Sequence, residues 1–128
     1  MTPRRPIPCK GFTLVELLVV MAIVAMLLSI AAPRYFGHLA RAREAALAET
    51  LAVTRDAIDK FNGDVGRYPR DLDELVTGRY LRALPLDPLT ERRDDWILVA
   101  PPDGGEGVSD LHSSAQGTAR DGRAFNAL

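Results

Sequence analysis

The sequence predicts an α+β fold, in which a long N-terminal helix, apolar in its first half, packs its second half on a small antiparallel sheet of two to three strands. Three observations predict it. From Phe12 to Ala32 only Thr13, Glu16 and Ser29 are polar, and no proline intervenes before Pro33. Leu47, Leu51, Thr54, Ile58 and Phe61 then recur at alternating spacings of four and three, the stripe of a helix buried on one face. Trp96-Ile97-Leu98-Val99-Ala100 and Val108-Ser109-Asp110-Leu111-His112 flank a glycine-rich turn and read as a hairpin.

The apolar run is about as long as a helix that crosses a bilayer, which takes roughly 20 residues. Arg4, Arg5 and Lys10 precede it without a single acid. It exceeds the core of a secretory signal, about 7–15 residues, and it ends in Ala31-Ala32-Pro33-Arg34 with no clean small-x-small cleavage site. Basic residues lie on both sides of it, so counting positive charges does not orient it. Cys9 is the one cysteine. It excludes an intramolecular disulfide, and it stands before the run, where a lipid-bearing cysteine would stand after. Glu16 is the misfit. An ionised carboxylate costs roughly 2.5–3.5 kcal/mol at mid-membrane, and the run holds no cation, so its partner must be a chain end or another molecule.

Pro33 removes a backbone donor and crowds the preceding turn, which predicts a kink or a loosened turn in the helix, with Gly37 adding to the weak point. Beyond it Arg41, Arg43, Glu44, Glu49, Arg55, Asp56, Asp59 and Lys60 occupy most of the positions outside the apolar stripe. One helix from Phe12 to about residue 62 would be roughly 75 Å long, too long for the remaining residues to bury. Its first half must seek lipid or other subunits. His38 has no second histidine or cysteine near it in sequence, so it is no metal ligand.

Asn62-Gly63 reads as the end of the helix, with glycine as a left-handed cap. Gly66-Arg67-Tyr68-Pro69 is a loop. Residues 71–76 form a short helix capped by Asp71, with Glu74 placed to reach back and Gly78 to close it. Capping accounts for these acids without acid/base chemistry. Tyr80 to Pro88 is a proline-punctuated connection, and Trp96 is a core anchor.

Composition closes several functional classes. Beyond Gly11 the chain holds 13 basic and 17 acidic residues, with no basic footprint for nucleic acid. The 95 residues after Pro33 support one modest core. Ser109, Ser113 and Ser114 lie near His112, but neighbours in a strand or tight loop point apart and make no triad. With no phosphate-binding glycine loop and no CxxC either, the chain is not read as an enzyme.

Lys10-Gly11-Phe12-Thr13-Leu14-Val15-Glu16 resembles the processing motif of type IV pilins and the pseudopilins of type II secretion. The resemblance implies a pilin-like fold and cleavage between Gly11 and Phe12 by a prepilin peptidase, with N-methylation of Phe12. It makes Glu16 the family's glutamate at the fifth mature position and Pro33 its helix-bending proline. Gly66-Arg67-Tyr68-Pro69, Leu72 with Glu74-Leu75, Tyr80-Leu81, Leu84-Pro85 with Asp87-Pro88, and Asp110-Leu111-His112-Ser113 are similar in order and spacing to the major, G-type pseudopilin. The single cysteine also suits pseudopilins better than type IV pilins, which typically close their C-terminal region with a disulfide.

The resemblance divides the chain into a leader (1–11), a transmembrane and assembly helix (12–32) and a periplasmic domain (33–128). It implies a filament subunit of the inner membrane, with the leader cytoplasmic. Its partners would be the peptidase, like subunits, other pseudopilins and an inner-membrane assembly platform driven by an ATPase. It also implies calcium in the loop from Ser113 to Gly122. There the family's first acidic position falls at Gln116, leaving Ser113, Ser114 and Asp121 as a weak calcium site, or else a hydrogen-bonded turn. Two other readings stand beside this one: a type IV pilin for adhesion, motility or DNA uptake, and a singly anchored periplasmic domain that never polymerises.

Overall fold

A computed structural model describes the whole chain, Met1–Leu128. Helix α1 covers Leu14–Val65, α2 Leu72–Thr77, strand β1 Ile97–Val99 and β2 Asp110–His112, with a final 3₁₀ turn at Phe125–Ala127. Close packing divides the chain into two units, Met1–His38 and Leu39–Leu128.

The first unit is the irregular N-terminal stretch and the apolar part of α1. Residues 1–13 have no regular structure. The helix opens at Thr13, whose Oγ1 accepts the Glu16 N–H at 3.1 Å. Thr13-x-x-Glu16 is the capping pattern that satisfies an orphan donor of the first turn. The apolar side chains from Leu14 to Ile30 are exposed, and the stretch is long and apolar enough to cross a membrane. Ser29 turns its hydroxyl back to the Ala25 carbonyl at 2.8 Å, so this polar group costs the apolar stretch little. Pro33 lies inside α1 without ending it.

The second unit is the α+β domain. Leu47, Leu51, Thr54, Ile58 and Phe61 are all buried, and Ala57 joins them. Thr54 is accommodated because its hydroxyl donates to the Thr50 carbonyl at 2.8 Å. The stripe packs with Leu72, Leu75, Trp96, Val108 and Leu111. Trp96 anchors this core and donates its indole N–H to the Pro85 carbonyl at 3.0 Å, the partner a buried tryptophan needs. Strands β1 and β2 pair antiparallel in the register Ile97↔His112, Leu98↔Leu111 and Val99↔Asp110. The sheet has two strands, each shorter than the sequence pattern predicts. Arg55 ties α1 to β2, donating from Nε to Asp110 at 2.6 Å and from a terminal nitrogen to the Leu111 and Leu128 main-chain oxygens.

Helix α1 ends later than expected. It runs through Gly63 to Val65, and the left-handed residue is Gly66 at φ +80, whose N–H bonds the Asn62 carbonyl at 2.9 Å. The extra turn is held from outside. Tyr80 donates to Asp64 at 2.7 Å and its ring meets Phe61 edge-on at 5.3 Å, which outweighs the roughly 1 kcal/mol cost of a glycine within a helix. Helix α2 is closed by Gly78 as expected, in a right-handed conformation, with the positive φ on Arg79. Glycine serves there by its size, since a Cβ would stand 3.1 Å from the Tyr80 ring.

Helix α2 is capped as predicted by Asp71, which accepts the Glu74 N–H at 2.8 Å. Glu74 reaches past the cap, accepting the Arg70 N–H and both terminal nitrogens of Arg67. The Arg67 guanidinium, then the Arg70 N–H, lower its pKa from 4.5 to about 2. The contribution of this contact is therefore complete above about pH 4.5 and is lost as pH falls through about 2. An NMR titration of Glu74 is expected to show that low midpoint, whereas a midpoint near 4.5 would mean the contact is absent in solution.

Candidate processing and assembly site

Gly11 and Phe12 lie in the irregular stretch ahead of α1, and both are exposed. No atom outside the neighbouring residues lies within 4 Å of where a Gly11 Cβ would be. Phe12 is 80% exposed. The peptide bond between them is thus open to a protease, and it stands just before the Thr13 cap. Glu16 lies in the first turn of α1, on the apolar exposed stretch, with no salt-bridge partner in the chain. A carboxylate at that end offsets the positive pole of the helix dipole. A new amine at Phe12 would add a second positive charge at the same pole, four residues before the carboxylate.

The sequence reading missed Thr13, which it counted only as a polar interruption. The Thr-x-x-Glu spacing was the available signal. Pro33 is where the sequence placed it, within a helix that stays continuous.

The candidate calcium residues are not brought together around one point. Ser113 is fully buried; its hydroxyl donates to Asp87 and accepts the Ala115 N–H at 3.1 Å. Ser114 donates to Asp95 at 2.9 Å. Asp121 accepts the Arg123 N–H at 3.0 Å and its guanidinium at 2.7 Å. Arg123 holds the Asp121 carboxyl below the usual carboxylate range. Calcium needs about six to eight oxygens with free lone pairs. These three side chains, two turned to other acids and one already paired with a cation, do not fit it.

An exposed irregular stretch, an apolar helix long enough to cross a membrane with a glutamate in its first turn, and a small α+β domain together are the features of a pilin-like subunit. Residues 8–32 match the prokaryotic N-terminal methylation motif. The chain is 31% identical over 123 positions to the type II secretion system core protein G of Klebsiella michiganensis, covering 84% of this chain and 83% of that one. It is 29% identical over 121 positions to the core protein G of Escherichia coli K12, covering 82% and 80%. The fimbrial protein EcpC of Eikenella corrodens is 27% identical over 118 positions, covering 88% and 77%. No solved structure matches the chain. The chain belongs to the type II secretion core protein G family and is a pseudopilin subunit.

Proposed function

We propose that this chain is cut between Gly11 and Phe12 by a prepilin peptidase, N-methylated at Phe12, and assembled with like subunits into the periplasmic pseudopilus of type II secretion. The observation that carries the reading is the join of an open Gly11–Phe12 bond to a capped apolar helix with one carboxylate in its first turn. Before assembly the apolar half of α1 lies in the inner membrane, with residues 1–11 cytoplasmic and the Leu39–Leu128 unit periplasmic. Assembly trades lipid contact for helix–helix contact. Glu16 of one subunit neutralises the Phe12 amine of its neighbour and thereby sets the axial stagger, because opposite charges are tolerated in an apolar setting only when paired. The role is structural, and the force comes from an ATPase working through other pseudopilins and the assembly platform. The fimbrial relatives keep a second reading, a pilus for adhesion, motility or DNA uptake. The single cysteine, lying in the leader, favours secretion.

Mass spectrometry of the membrane-extracted chain tests the processing step. The expected mass is that of Phe12–Leu128 plus one methyl group on the N-terminal nitrogen. A chain that begins at Met1, or is cut after Ala32, would overturn the reading.

A further inference from the structure

The loop from Ser113 to Arg123 is closed by its own chain at every turn. The Ala119 and Gly122 N–H groups bond the Arg123 and Ala119 carbonyls at 2.7 and 3.0 Å, and the Phe125 N–H bonds the Gly117 carbonyl at 3.1 Å. Thr118 and Ala124 form an isolated antiparallel bridge. Glu44 of α1 accepts the Arg120 N–H at 2.6 Å. At the tip, Asp121 receives both the main-chain N–H and the guanidinium of Arg123.

Beside Asp121, at the tip of this loop, the side-chain charge is net positive; the acids Asp87 and Asp95 meet the loop at its start, where Ser113 and Ser114 donate to them. A cleft of about 380 Å³ beside the tip is lined by Arg41, Arg120 and Arg123 against Glu44 and Asp121. Asp121 is the one carboxylate between Ser113 and Leu128, and a guanidinium nitrogen stands 2.7 Å from it. A calcium ion at Asp121 would have to displace that guanidinium and then sit near Arg41 and Arg120 with one loop carboxylate as its anionic ligand, whereas affinity rises with the number of charged ligands.

We propose that this subunit holds its C-terminal loop without calcium, the Arg123 guanidinium standing in the place a divalent cation would take beside Asp121. The charge that folds the loop is then covalently attached, so the loop keeps its shape whatever the calcium level of its compartment.

Hydrogen exchange of the full chain in detergent micelles, read on peptides covering residues 113–125, tests this. With chelator or with calcium well above the ~1 mM dissociation constants of weak extracellular sites, the exchange rates are expected to agree within about twofold. Arg123→Gln is expected to speed exchange of the Ala119, Gly122 and Arg123 amides about threefold, the range of an exposed ion pair. Slowing of the unmodified chain by tenfold or more in calcium would overturn the proposal. So would an Arg123→Gln chain whose loop amides exchange at the original rate.

Discussion

Glu16→Ala is expected to yield a chain that enters the membrane, loses its leader and accumulates as unassembled subunits. Cleavage should survive because the Gly11–Phe12 bond lies in the irregular stretch and is exposed, and the Thr13 cap uses the main-chain N–H of residue 16, which alanine keeps. Assembly should fail because the Phe12 amine of a neighbour would enter an apolar filament core unpaired. Removing one partner of a buried pair costs on the order of 3–5 kcal/mol. At ~1.4 kcal/mol per tenfold, that is more than ~100-fold in the affinity of each subunit contact, and it multiplies along a filament. Glu16→Gln should fail nearly as badly, since it keeps the shape and loses the charge, while Glu16→Asp should recover part of the yield. The measurement is the sheared filament fraction against the membrane fraction. Wild-type filament yield from Glu16→Ala would remove the charge pairing and leave Glu16 as a solvated end of the helix.

That prediction could be framed from the sequence because a lone carboxylate in an apolar run is visible without coordinates. The same holds for the buried stripe: every one of Leu47, Leu51, Thr54, Ile58 and Phe61 is buried, since a helical period maps directly onto one face. Asp71 as the cap of α2 was equally legible, because capping is local. Where tertiary contacts overrule local signals, the sequence misled. Gly63 looked like a helix end, yet Tyr80 reaches Asp64 from sixteen residues away and holds a further turn. Gly78 does close α2, but what requires glycine there was not legible: it makes room for the Tyr80 ring, while the left-handed residue is Arg79. Arg55 read as one of several exposed charges on the helix, though it joins α1 to Asp110 and to the Leu128 main-chain oxygen. No spacing rule links residues that far apart. The calcium loop shows a related limit: a resemblance supplied the ligand positions, while the side chains at those positions had already found other partners.

Asp87 is the residue whose weight was least visible in the sequence, where it sits between Leu86 and Pro88 as part of a connecting loop. It is completely buried. One carboxylate oxygen accepts the Leu89 N–H at 2.8 Å and, more loosely, the Thr90 N–H at 3.4 Å, and the other accepts the Ser113 hydroxyl. Its own main chain closes the turn, with the Asp87 N–H on the Arg92 carbonyl and the Glu91 N–H on the Asp87 carbonyl. Asp87→Ala strands these donors away from water, at about 1–3 kcal/mol for each group left unpaired. The expected loss is about 3 kcal/mol, a large part of the 5–15 kcal/mol that ordinarily holds a domain. With roughly 4–8 °C per kcal/mol for a domain of about 60–100 residues, the Trp96 fluorescence melting midpoint should fall by at least ~12 °C. Ser113→Ala should cost less, about 1 kcal/mol, because Asp87 keeps its main-chain donors. If Asp87 and Ser113 act through one another, the double variant should be clearly less damaging than the two single losses added together. Additive losses would mean that the two ends of this bond matter for separate reasons, and an Asp87→Ala midpoint within ~2 °C of the parent, far less than one unpaired buried group should cost, would show that the buried carboxylate does not hold the 85–95 loop to the segment after β2.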